Sequence, residues 1–173
     1  MILELKPVAR LVDAYPLSPM QQGMLYHWLR DPRAGVDLEQ IVCTMDAIDV
    51  PTFVRAWEQL AHQHTAFRTG FRWRDSDVPQ QEIFSDVPVV VHERDLRSNS
   101  AADQQSEVAA YLDTDRRAGF DFAVPPLFRL AVFRTAERRY EFVWTFRCPL
   151  AQDRNDLLLG ELALLHQSSG AED

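Results

Sequence analysis

Apolar positions along this chain recur at either helical or alternating spacing, and each stretch predicts an element. Met20, Met24, Leu25 and Trp28 fall on one helical face behind Ser18, Pro19 and Gln21, residues suited to cap a helix start. Asp31-Pro32 ends that helix, with Gly35 in the loop beyond. Ile41 to Asp46 is short and rich in β-formers, which predicts a strand. Asp49-Val50-Pro51 opens a second helix, on which Phe53, Trp57, Leu60 and His64 share a face. Phe67 to Trp73 predicts another strand, followed by the turn-like Asp75-Ser76-Asp77. Val87 to His92 predicts a short strand that Pro88 confines to an edge or an irregular start.

A third helix is expected from near Ser100, with Val108, Tyr111 and Leu112 inward and Gly119 at its end. Pro125-Pro126 then makes a rigid entry to a hairpin of Leu127–Arg134 and Tyr140–Phe146, joined through Ala136-Glu137-Arg138. Tyr140, Phe142, Trp144 and Phe146 all point to one side of its second strand. A leucine-rich helix from about Asp153 to His166 completes the pattern, and residues 168–173 read as a linker or disordered tail. Helices alternate with strands joined by both hairpin and crossover connections. The predicted class is therefore α/β: a two-layer α+β sandwich with a mixed sheet packed with helices.

Composition narrows the function classes. A chain of 173 residues suits one domain, and such a chain buries roughly two thirds of its unfolded surface. A formal net charge of −8 argues against a nucleic-acid or anionic-membrane binder. No apolar run approaches the ~20 residues of a membrane span, and the first residues lack the pattern of a secretory signal. The expected location is cytoplasmic. Cys43 and Cys148 form no CxxC or Cys/His ligand spacing, so neither a disulfide framework nor a metal site is expected.

Three segments carry a family resemblance. Tyr15-Pro16-Leu17-Ser18-Pro19-Met20-Gln21-Gln22-Gly23-Met24-Leu25 resembles the first core motif of the condensation domains of nonribosomal peptide synthetases. His64-Thr65-Ala66-Phe67-Arg68-Thr69-Gly70-Phe71 is similar to the family's next motif, with Phe67 in place of the usual leucine. Phe120-Asp121-Phe122 through Pro125-Pro126-Leu127-Phe128-Arg129-Leu130 resembles the stretch before the active-site strand. The resemblance implies a chloramphenicol acetyltransferase-like fold. It assigns residues 1–167 to the amino-terminal lobe of a domain that has two such lobes, with the active site between them. It also implies carrier proteins as partners, bearing substrates on phosphopantetheine, with no cofactor bound by the lobe itself.

The family's chemistry resides in a His-His-x-x-x-Asp-Gly loop after the strand corresponding to Tyr140–Phe146. The second histidine is associated with catalysis, a role suited to a group that changes protonation near neutral pH. Here the loop reads Arg147-Cys148-Pro149-Leu150-Ala151-Gln152-Asp153. Without gaps, Arg147 and Cys148 take the histidine positions, Gln152 the aspartate and Asp153 the glycine. A shift of one residue restores Asp153 as the aspartate and places Cys148-Pro149 at the histidines. No register restores a histidine, so no catalytic residue is expected in this loop. An arginine stays protonated and cannot serve as a base. Cys148 is a nucleophile only with a base and an oxyanion site that the sequence does not supply; the alternative is a buried, inert thiol.

The resemblance makes Arg68 a structural partner for Asp153 near the site; a surface arginine is the alternative. His62 and His64, two apart in a predicted helix, make a poor metal pair. Three functions remain in view. One is a non-catalytic lobe that positions a carrier protein or a neighbouring synthetase domain. The second is half of an acyl-transfer site, completed by a second lobe or a second copy. The third is an inactive structural remnant. An acidic carrier would need a basic patch here, around Arg116-Arg117 or Arg134 with Arg138-Arg139.

Overall fold

A computed structural model describes residues 9–31, 38–74 and 77–147. In chain order these form β1 (Leu11–Pro16), α1 (Pro19–Arg30), β2 (Leu38–Asp46), α2 (Val50–Gln63), a 3-10 turn (Thr65–Arg68), β3 (Thr69–Arg72), β4 (Gln80–Phe84), β5 (Val91–Asp95), α3 (Ala101–Ala118), β6 (Phe128–Arg134) and β7 (Arg139–Arg147). The turn predicted at Asp75-Ser76-Asp77, the Asp153–His166 helix and the tail lie wholly or partly outside the described residues.

The described helices begin where the sequence places their caps. Ser18 accepts from the Gln21 amide at 3.3 Å, and the Gln21 side chain accepts from the Ser18 amide at 2.9 Å, a complete capping box. Asp49 accepts from the Thr52 amide at 3.0 Å, and Ser100 from the Asp103 amide at 3.2 Å. Gly119 ends α3 with φ +59°, a conformation that costs a glycine nothing.

The centre is a four-stranded sheet in the order β2-β7-β6-β5. Its β2–β7 and β7–β6 pairs are antiparallel, while β5 runs parallel to β6 through the α3 crossover. This is the mixed sheet that the sequence predicts. Tyr140, Phe142, Trp144 and Phe146 share one buried face with Phe128, Leu130 and Val132, packed against α1, α2 and the 3-10 turn. The other face sends Ala131, Phe133 and Val143 against Val108, Tyr111 and Leu112 of α3.

Four details differ from expectation. A second, three-stranded sheet in the order β1-β4-β3 was not anticipated. Phe67 and Arg68 belong to the 3-10 turn, and the strand begins only at Thr69. The strand expected from Val87 begins at Val91, because Pro88 lacks the amide a ladder needs. Met20 is 56% exposed, and the buried face of α1 is instead Gln21 and Leu25 with the partly buried Trp28. Gln21 is buried because its amide donates to the Gln81 side chain of β4 at 2.6 Å.

Candidate functional site

The second and third segments of the resemblance meet α1 near the carboxyl end of β7. Phe122 stacks on Trp28 of α1 with centroids 5.0 Å apart and lies 5.4 Å from the Phe71 ring. The Trp28 indole donates to the Phe120 carbonyl at 3.1 Å, and the Phe71 amide donates to the Phe122 carbonyl at 2.7 Å. Gly70 permits this approach: a Cβ there would lie 3.1 Å from Pro125 Cδ and 3.5 Å from the carbonyl oxygens of Phe122 and Ala123. The 120–125 loop is thereby fixed against both α1 and β3.

Arg147, the last residue of β7, lies on this aromatic platform. It is 2% exposed, and its guanidinium sits over the Phe122 ring at 4.6 Å. Its amide donates to the Leu127 carbonyl at 3.1 Å, which ties the strand end to the entry of β6. A buried cation over a ring face gains electrostatic stabilisation that partly offsets lost hydration. It remains a permanent cation and offers a substrate no basic nitrogen.

A polar row lies beneath the carboxyl end of α3. Arg129 donates to Asp115 Oδ1 at 2.5 Å, to the Asp115 carbonyl at 2.9 Å and to the Gly119 carbonyl at 2.6 Å. Its guanidinium also covers the Phe120 ring at 4.0 Å. Gln40 of β2 extends the row, donating to the Leu112 carbonyl at 3.1 Å and reaching Asp115 and Thr145 at 3.4 Å. Arg129 thus locks the last turn of α3 and the loop that carries Phe122. Sequence reading singled out neither Asp115 nor the ring of Phe122. The available signal was an acid continuing the inward stripe of Tyr111 and Leu112, one turn before the helix-ending glycine. Burial pushes the Tyr111 phenol up to about 12, and neighbouring Asp115 acts in the same direction.

Arg68 is a buried arginine, not a surface one. It donates to the carbonyls of Ala61 at 2.9 Å and His62 at 3.2 Å, at the end of α2, and to the Phe84 carbonyl at the end of β4. The guanidinium therefore caps α2 and binds it to the second sheet. Its expected partner Asp153 lies outside the described residues, as do Cys148 and Gln152. His64 falls just beyond α2 as its carboxyl cap, edge-on to Phe67 at 6.3 Å. No group of three potential metal ligands occurs among the described residues. Burial, and secondarily Glu141, pushes the Cys43 thiol up, which makes it a poor nucleophile.

The expected basic patches are partly neutralised. Arg117 pairs with Asp113 at 2.8 Å, and Arg134 with Glu137 at 3.0 Å. Arg116, Arg138 and Arg139 are exposed. No described helix is long and apolar enough to cross a membrane.

Residues 12–146 match the family model described as Condensation domain. The chain is 38% identical over 134 residues to a component of the linear gramicidin synthase of Brevibacillus parabrevis, covering 78% of this chain and 2% of that protein. It is 33% identical over 132 residues to bacitracin synthase 3 of Bacillus licheniformis, covering 76% of this chain and 2% of that protein. The chain thus spans a small fraction of the length of these curated relatives. Its fold is similar to that of a four-domain nonribosomal peptide synthetase bound to AMP and glycine, with a TM-score of 0.76, 16% identity, and 96% and 12% of the two chains covered. It is also similar to the first condensation domain of the calcium-dependent antibiotic synthetase in complex with a substrate analogue, with a TM-score of 0.69, 17% identity, and 79% and 33% covered. The expected chloramphenicol acetyltransferase-like fold is thereby shown.

Proposed function

This chain belongs to the condensation-domain family of nonribosomal peptide synthetases, and on that premise we propose that it is a non-catalytic lobe that positions a carrier protein or a neighbouring synthetase domain. The observation that carries this reading is Arg147. It takes a position where the family resemblance expects a histidine, and its guanidinium is buried against Phe122. A side chain that stays protonated cannot exchange a proton with an acceptor amine. Around it the scaffold is intact: capping box, Gly70 contact, aromatic platform and Arg129 lock are all present. A well-ordered scaffold beside a loop without a histidine suits recognition. The arm offered by such a partner would be phosphopantetheine, carried by the partner and not by this lobe.

The test is an NMR titration of the labelled chain with phosphopantetheinylated carrier proteins and the adjacent domain of its own synthetase. Saturable shifts confined to one surface are expected; a folded chain that shows none with any of these partners would overturn the proposal. Reconstituted turnover separates this reading from that of half an active site. Arg147→Ala and Cys148→Ala should leave product formation unchanged, and a loss in either variant would favour the catalytic reading.

A further inference from the structure

Among the described residues the two sheets have four outer strands, and three of them are guarded against further pairing. β1 carries a register shift between Leu11 and Asp13 and ends in Pro16. β3 is four residues long, and its Phe71 amide is already taken by the Phe122 carbonyl. β5 is five residues long and presents His92, Glu93, Arg94 and Asp95, a charged edge. β2 has none of these protections. It is nine residues long, pairs with β7 in unbroken register, and contains no proline or lysine. Among the described residues no strand lies on its other side.

The ladder fixes which backbone groups of β2 face that open side. The Arg147 amide donates to the Leu127 carbonyl, and the Thr135 amide to the Arg139 carbonyl, so the odd-numbered residues of β7 bond β6. Its even-numbered residues therefore bond the odd-numbered residues of β2, and the Ala47 amide on the Arg138 carbonyl continues that pattern. The amides and carbonyls of Leu38, Gln40, Val42, Thr44 and Asp46 consequently point outward. Val42 stands at the centre of this row and is 36% exposed.

We propose that β2 pairs antiparallel with β2 of a second copy of this chain, about a two-fold axis at Val42. In that register Val42 faces the second copy's Val42, Gln40 faces Thr44 and Leu38 faces Asp46, each a hydrogen-bonded pair. Any shift of the axis leaves at least one of the five outward residues without a partner. Between these pairs Ile41 faces Cys43 and Glu39 faces Met45. The two acids of β2 thus meet apolar side chains, and no like charges stand opposite each other. The partly buried Ile41, Cys43 and Met45 extend the aromatic core to the edge, so pairing also covers apolar surface there. The two four-stranded sheets become one continuous sheet. This goes beyond the recognition reading and does not depend on it.

Sedimentation equilibrium of the full chain tests it. The mass should be that of the 19.9 kDa monomer at about 1 µM and approach twice that at about 100 µM, because strand pairing buries less than a standard interface. Val42→Lys sets two cations against each other on the axis and should weaken association about ten-fold. A chain that stays monomeric at the higher concentration, or a dimer that Val42→Lys leaves as tight, overturns the proposal. Amide hydrogen exchange on the unsubstituted chain supplies an answer even where the variant fails to fold. The Gln40, Val42 and Thr44 amides should gain about ten-fold protection between the two concentrations, while Ile41 and Cys43, already bonded to β7, should be protected at both. Protection at the even-numbered amides that does not change with concentration overturns it equally.

Discussion

On one face of the four-stranded sheet, Trp57 meets Phe67, Phe128, Phe142 and Trp144 ring to ring, at centroid distances of 5.3 to 6.2 Å. On the other face, α3 rests on Ala131, Phe133 and Val143, and its carboxyl end is held by Asp115, Arg129 and Gln40. The first face is held by area and shape, which are non-directional and tolerate exchange of one apolar group for another of similar volume. The second is held by directed, partly charged hydrogen bonds, which fix position but tolerate no partner loss. The loop with Phe122 depends on both. Its rings pack against α1 and β3, while its amino-terminal end is anchored through Arg129. The carboxyl end of β7, where Arg147 covers Phe122, thus lies where the two kinds of attachment meet.

Three substitutions sharpen that contrast, in descending order of effect. Phe128→Ala removes a 3%-exposed ring from the aromatic face, and should cost about 3–5 kcal/mol by transfer and cavity terms together. Urea denaturation checks it: the midpoint should fall with the slope unchanged. A cost below that of Asp115→Ala would reverse the ranking of the two faces. Asp115→Ala leaves the Arg129 guanidinium without its carboxylate, in a site where Arg129 is one third exposed, and should cost about 2 kcal/mol. Its distinguishing sign is spectroscopic: the Trp28 and Phe122 resonances should shift, because the loop loses its anchor. Val143→Ala, on the same face but outside the polar row, should leave those resonances in place.

The smallest effect is expected at the exposed rim. Arg97 forms a charge-assisted pair with Asp95 and holds its carboxyl below the ordinary 3.8, at about 2. A carboxyl whose folded value is depressed contributes stability above its unfolded pKa and loses it as pH falls. The contribution of Asp95 is therefore complete above pH 3.8 and disappears as pH falls toward 2. Asp95→Asn should flatten the acid limb of the stability curve in that window, and at pH 7, where the contribution is complete, it should cost only the small amount that a solvent-screened pair supplies. An unchanged acid limb would show that the pair does not form in solution.

Much of the fold was legible because it is written in local signals. The caps at Ser18, Asp49 and Ser100, the inward stripe of α3 and the alternation along β7 each act within a few residues. The second sheet was not legible. Leu11–Pro16 mixes polar residues with a terminal proline, and Gln80–Phe84 is mostly polar, so neither shows a strand period. These segments become strands because β4 finds β1 on one side and β3 on the other, pairings about 70 and 11 residues distant in sequence. At the candidate site, the absence of a histidine at 147 and 148 was plain from the residues. The stack of Arg147 on Phe122 was not, since it joins positions 25 residues apart in sequence through a loop that Gly70 and Arg129 hold in place.

By itself, the sequence determined the family, the helix boundaries set by capping side chains, and the absence of a histidine from residues 147–153. Each follows from residue identity or from spacing within one element. Only the tertiary structure decided that Arg68 caps α2, that Asp115 and Arg129 lock the approach to the site, and that Arg147 lies buried on an aromatic ring. A charged side chain takes its role from the partners that surround it on burial, and those come from distant parts of the chain.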